Sequence, residues 1–505
     1  VGFGLAENGG MRGADMFLYE ADSDTLTDAH VLGDLYPLID SCQNWELQYS
    51  QTHGGVLIVE VSRLLDTGDT QDHKIINDTE LLMELHFIIS AWGDSPTVSY
   101  HGRNNRAKGA LRFYGKGLDE WDMFEESMDT EAEGSFFVGA EDYPIPSRDT
   151  KYKRFCFDET HFVAMGVPMN QSLHVIGIKP VIDPRTAKYV HHFTVTTNEG
   201  GSCDTGMVGT SIYGWAPGGL PLSFPPIFGS PLGADGFTFY SLTIHYNNPD
   251  LEEGMLDSSG IQLYWTTQKR EQEVGGFILA DPQTALKGHP VGGGVSKHVF
   301  DCPASCTTLT LTGLKEPITV FKEQFHMHQT GIMASNSIIR NGEVVHSTNV
   351  QFFDFEQSGS IGVQQETFQI LPGDSFRSTC YYDSPNDGHK FGLSSQEEMC
   401  LTSLAYYPRQ KLLGRFSLVC AYDFVLPQCK ANYSSSLLAS TADLKRKFGL
   451  PAKEGTVCLP ESVEDAPTVA EKESEDDDNS SGNPLSCWMT VLGVLSLSLF
   501  LILQH

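Results

Sequence analysis

Phe325-His326-Met327-His328 sets two histidines two residues apart. On an extended strand both imidazoles leave the same face, so two nitrogens can reach one metal ion without bending the backbone. Met399 offers a thioether further along, and sulfur combined with imidazole favours copper, the cuprous ion above all. The plainer reading of a His-x-His strand is an incidental pair. His191, His192 and His245 form a second donor group that tells against it. Neighbours on a regular strand point to opposite faces, so His191 and His192 share a metal only at a bulge or a strand end. His245 ends the alternating run from Phe237, on the face of Phe237, Phe239 and Thr243, and alone it reads as a core histidine satisfied by a hydroxyl. His53, His86 and His174 have no such company and read as structural. Cys400 beside Met399 raises a rival, a blue-copper site of two histidines, a thiolate and a weak methionine.

These residues must be carried by strands. A chain of 505 residues is long enough for about three domains, and its 40% apolar content supplies their cores. Residues 1–116 read as a block of strands whose start is truncated, since the first residue is Val1. Its acidic stretches Asp22-Ser23-Asp24 and Asp66–Asp72 lack EF-hand spacing and read as solvated loop acids. Residues 117–150 are acidic and proline-containing and read as a linker. Blocks 151–296 and 297–430 alternate short apolar runs with Gly- and Pro-rich loops, the pattern of sandwiches. Residues 431–482 read as a tail and disordered stalk, because 461–482 hold nine acids against Lys472 and almost no large apolar group. Residues 483–505 read as a hydrophobic membrane anchor or a lipid-anchor signal, with Trp488–Leu503 free of charge.

Composition narrows the partners. Sixty-five acids against 33 bases give a net charge of −32, which repels phosphate backbones and excludes nucleic acid. Eleven cysteines without paired CxxC knuckles read as disulfides of an oxidising compartment. Sequons at Asn77, Asn170, Asn432 and Asn479 fit the secretory lumen or the cell surface. Membrane attachment would run through the C-terminus, and a homo-oligomer is compatible with all of this.

The order of the motifs carries more than any one of them. His191-His192, then His245-Tyr246-Asn247-Asn248-Pro249, then Ser258-Ser259-Gly260 resembles the first half of the ascorbate-dependent copper monooxygenase family. Phe325–His328, Leu371-Pro372-Gly373-Asp374 and Glu398-Met399-Cys400 through Tyr406-Tyr407-Pro408 resemble its second half. Phe391-Gly392-Leu393-Ser394-Ser395 is most similar to the monooxygenase-X branch. Ala14-Asp15-Met16 and Val31–Asp34 resemble the DOMON sandwich that precedes the pair in the dopamine-hydroxylase subfamily. The interval from His192 to His245 is shorter than is usual there, and beyond Pro408 the match thins.

The resemblance implies an all-β chain: a DOMON sandwich, then two jelly-roll-like copper sandwiches. It implies one copper on His191, His192 and His245 and a second on His326, His328 and Met399, with Tyr406 lining the second. Cys156–Cys203 and Cys380–Cys400 would be disulfides, the latter removing the blue-copper thiolate, and Cys302 and Cys306 would tie back to Cys420, Cys429 or Cys458. The implied activity is hydroxylation of a C–H bond in a small or amphipathic molecule by O2. The methionine-ligated copper would activate O2, the other would store an electron, and ascorbate would reset both. Where the catecholamine enzymes carry an acid, this chain has Gly276-Phe277-Ile278-Leu279, which tells against dopamine. The alternative is a catalytically impaired binding protein on the same fold.

Overall fold

The computed structural model describes all residues except 7–9, 32–35, 54–55, 70, 76–85, 94–97, 103–104, 112, 114–119, 199, 201–202, 204–209, 218, 281–287, 312–316, 354, 356–366, 386, 395, 411–428, 439–495 and 505. The chain forms two compact units, Val1–Gly117 with Pro451–His505, and Leu118–Leu450.

In the first unit, strands β1 (Gly2–Ala6), β2 (Asp15–Glu20), β3 (Thr25–His30), β4 (Leu38–Ile39), β5 (Glu46–His53), β6 (Val56–Leu64), β7 (His86–Ala91) and β8 (Arg106–Leu111) make a sandwich. One sheet runs β4-β3-β2-β1-β7-β8, and β6 pairs β5 in the other. Phe3, Phe17 and Tyr19 from the first sheet meet Trp45, Val59 and Val61 from the second. The hydrophobic C-terminus, expected as an anchor or an anchor signal, is partly a strand in this structure. Ser496–Gln504 is an antiparallel strand along β6, from Ser496 opposite Leu64 to Gln504 opposite Val56. A short Leu-, Ile- and Phe-rich run can satisfy its backbone in a sheet as well as in a helix. No helix among the described residues is long and apolar enough to cross a membrane. The acidic stalk 461–482 lies outside the described residues.

The second unit holds two sandwiches, and it starts earlier than expected. Residues 117–150 are not a bare linker: they contain helix α1 (Glu120–Glu131) and strand β9 (Gly134–Gly139). Phe136 and Val138 of β9 alternate into the core. After β10 (Tyr143–Pro144) come β11 (Thr150–Asp158), α2 (Glu159–Ala164), β12 (Ser172–Val181), β13 (Val190–Asn198), β14 (Thr210–Trp215), β15 (Leu222–Ser223), β16 (Phe228–Gly233), β17 (Phe239–Asn247), β18 (Leu256–Asp257), β19 (Gly260–Thr266) and β20 (Gln272–Glu273). Sheet β11-β17-β13-β14 packs on sheet β20-β16-β12-β19-β9 around Val175, Phe193, Val195, Leu242 and Ile244.

The second sandwich takes β21 (Gly275–Ala280), β22 (Pro290–Val291), β23 (Gly294–Cys302), α3 (Ala304–Leu311), β24 (Ile318–His326), β25 (Gly331–Arg340), β26 (Glu343–Val350), β27 (Phe368–Ile370), β28 (Ser375–Ser384), β29 (His389–Lys390), β30 (Leu401–Tyr407) and β31 (Asn432–Leu437). Its sheets run β21-β30-β24-β27 and β26-β25-β28-β23-β31. Both expected limits of the 297–430 block therefore move outward, because β21 pairs β30 and β31 pairs β23. The halves touch where β14 meets β21. A Cβ on Gly276 would stand 1.9 Å from the Ser211 carbonyl oxygen, so only glycine lets the two backbones come that close.

Candidate metal centre

β13 carries its histidines at an irregularity. The register with β17 shifts between Val190 and His192, and His192 then lies opposite His245. This is the bulge that adjacent histidines need in order to face one point. Beyond it, Phe193 and Val195 turn into the core. The ring centroids of His191, His192 and His245 lie 4.7–5.1 Å apart. His192 Nδ1 is 2.9 Å from His191 Nδ1 and 3.3 Å from His245 Nδ1. One ligand atom from each of the three falls within 4.8 Å of the others.

The second donor group sits at the end of β24. Phe325 and Met327 are buried in the apolar core, which turns His326 and His328 to the opposite face. Their rings are 5.1 Å apart. The loop that carries Met399 grips the turn after His328. The His328 backbone N–H donates to Glu398 Oε2 at 2.9 Å, and Thr330 donates both its N–H and its hydroxyl to Glu398 Oε1 at 2.8 Å. Met399 follows, half-buried, its carbonyl accepting the Tyr382 hydroxyl at 2.8 Å.

The two groups form one cluster across the halves. His192 and His326 have ring centroids 5.2 Å apart. Phe355 stacks on His191 at 4.2 Å and meets His328 at 5.5 Å. Tyr152 of β11 stacks on His245 at 4.3 Å and donates its hydroxyl to the Leu393 carbonyl at 2.9 Å, joining the first histidines to the Met399 loop.

Burial, and then the neighbouring imidazoles, hold these histidines neutral. The pKa is lowered to about 3 for His191 and about 2 for His245, and well below the usual range for His192 and His326. Burial brings His328 to about 4. A neutral imidazole keeps one nitrogen lone pair. At His328 the lone pair is assigned by its surroundings: Nδ1–H donates to the Glu397 carbonyl at 2.8 Å, which leaves Nε2 as the acceptor. His328 Nε2 and His191 Nε2 are both buried without a hydrogen-bond partner. Buried lone pairs with no proton donor, set among further imidazoles, fit a metal of copper's preferences.

Tyr406 does not join this cluster. It lies opposite Val320, at the far end of the ladder from His326, buried among Ile318, Val320 and Leu404. His174 also stands apart, with Nδ1 accepting the Arg270 N–H at 2.8 Å. The disulfides Cys156–Cys203, Cys380–Cys400 and Cys306–Cys429 are formed, and the second leaves Cys400 no thiolate for a blue-copper site. Asn170 and Asn432 are exposed, while Asn77 and Asn479 lie outside the described residues. Tyr152, Phe355, Glu397 and Glu398 were not singled out from sequence; only the adjacency of Glu398 to Met399 pointed to any of them.

The acids of the first unit are not all solvated loop residues. Asp69 and Asp72 meet buried Asp40, and Asp72 also meets buried Asp15 and Asp28. Arg63 pairs with Asp15.

Residues 136–253 match the N-terminal domain of the copper type II ascorbate-dependent monooxygenases, residues 294–423 match their C-terminal domain, and residues 1–86 match a DOMON domain. DBH-like monooxygenase protein 1 of Gallus gallus is 28% identical over 446 residues, 82% of this chain and 68% of that protein. The Homo sapiens protein of the same name is 29% identical over 448 residues, with the same 82% and 68%. Dopamine beta-hydroxylase of Rattus norvegicus is 27% identical over 438 residues, 81% of this chain and 67% of that protein.

Proposed function

The chain belongs to the copper type II ascorbate-dependent monooxygenase family, a dopamine-beta-hydroxylase-like oxidoreductase with a DOMON domain in front, and from that premise we propose that it hydroxylates a C–H bond of a small or amphipathic molecule in the secretory lumen or at the cell surface. One oxygen atom of O2 enters the substrate and the other leaves as water, with two electrons and two protons drawn from ascorbate. His191, His192 and His245 hold one copper, and His326, His328 and Met399 hold the other. Bound copper would supply one-electron storage at the all-imidazole set and O2 activation where the thioether favours the cuprous ion.

The observation that supports this most is the convergence of five imidazoles from both halves, with His191, His245 and His328 buried and His192 and His326 half-buried. The chain's own groups prepare the centre. The Glu397 carbonyl fixes the tautomer of His328, Glu398 holds the turn, and Phe355 and Tyr152 stack on the rings of His191 and His245. The disulfides suit an oxidising compartment.

Metal analysis and spectroscopy of the purified chain test the reading. About two coppers per chain without an intense blue band are expected. His326→Ala should remove one copper and abolish ascorbate-driven O2 consumption with an accepted substrate, whereas His174→Ala should do neither. Equal losses in the two variants, or a copper content untouched by both His326→Ala and Met399→Ala, would sink the assignment.

A further inference from the structure

A crevice open to solvent runs between the halves, and none of the six donor residues lines it. Its walls are mostly apolar, from Ile212 and Tyr213 on β14, Val274 and Gly275 by β21, and Leu404 and Ala405 on β30. Lys322 and Gln324 of β24 supply its polar side. How Lys322 comes to face the crevice follows from a second bulge. Ile318 and Val320 point into the core, and unbroken alternation would send Lys322 after them. The register with β30 shifts between Val320 and Lys322 instead. Glu323 and Phe325 become the buried residues, and Lys322, Gln324 and His326 share the opposite face.

Lys322 has no carboxylate partner among the described residues. Lys179, Lys188 and Lys390 each pair with a glutamate, but the Lys322 ammonium has only the Tyr213 ring, 6.0 Å away. Burial lowers its pKa to about 8, and an arriving anion would favour the charged form again. In a chain of net charge −32, a half-buried cation without a counter-charge in an apolar crevice selects for an anion. His326 lies four positions along the strand from Lys322, about 13 Å away.

We propose that this crevice takes a small, largely apolar substrate bearing an anionic group of the carboxylate class, which pairs with Lys322 while the carbon to be hydroxylated lies toward His326. The inference rests on the monooxygenase reading and names the substrate class of that same site.

The test uses the copper-loaded chain and two probes of similar size, 3-phenylpropionate and 3-phenylpropylamine, with binding measured by calorimetry. The acid should bind at least about tenfold more tightly than the amine. Lys322→Gln should abolish that preference and Lys322→Arg should keep it, at unchanged copper content and melting temperature. Equal or tighter binding of the amine by the unaltered chain overturns the proposal without any variant, and so does a preference that survives in Lys322→Gln. Normal copper loading without acid preference removes the anion site alone. Acid preference in a chain that cannot hold copper removes the monooxygenase reading and leaves the anion site standing.

Discussion

His328 shows how much of a ligand's readiness lies in its neighbours. The His-x-His spacing places the ring on the correct face, and that was legible in the sequence. Which nitrogen stays free was not, because it depends on a carbonyl 69 residues away at Glu397. Glu398 extends the same lesson by accepting hydrogen bonds from His328 and Thr330. In Glu398→Gln the amide NH2 must face one of these donors, so we expect a loss of about 2 kcal/mol in stability, read from thermal melts. Copper affinity at the His326 and His328 set should fall by about 10–100-fold in a chelator competition, leaving the His191, His192 and His245 set unchanged. Asp28 makes a second case. Burial first, then repulsion from Asp72, Asp15 and Asp40, raises its carboxyl pKa to about 8, against the Asn44 N–H that favours the charged form. A raised acid stabilises the fold below its unfolded value near 3.8, and that stability is lost as pH rises through about 8. Hydrogen exchange over residues 38–47 should therefore quicken from pH 5 to pH 8 beyond the intrinsic rate, and Asp28→Asn should flatten the trend.

Among the elements, two bulges set the phase of both donor groups. The one at His191 was legible as a condition, since adjacent histidines can share a centre only at such a place. The one before Lys322 was not, because Lys322-Glu323-Gln324 are all polar and do not show which of them turns inward. Extra residues in a strand leave no mark when apolar and polar types do not change phase visibly. The acidic composition of 117–150 likewise hid β9, whose Phe136 and Val138 alternate into the core. A chain starting at Lys151 loses that edge strand and both buried side chains, a cost of several kcal/mol. It should melt without a cooperative transition by circular dichroism, whereas a chain starting at Leu118 should melt sharply.

At the scale of the molecule, strand-rich blocks and their order were readable because short apolar runs between Gly and Pro loops mark sandwiches locally. Their limits were not, because β21 and β31 are assigned to a sandwich by distant partners, β30 and β23. The C-terminal strand against β6 was hidden for the same reason. The two sandwiches cross closely at Gly276, where a backbone oxygen of β14 occupies the place of a side chain. The spacing there is set by atomic radii, which no rotamer change can adjust. Gly276 thus acts as a mechanical stop: it limits how near the histidines of one half can come to those of the other, and a single added methyl group would push the two halves apart.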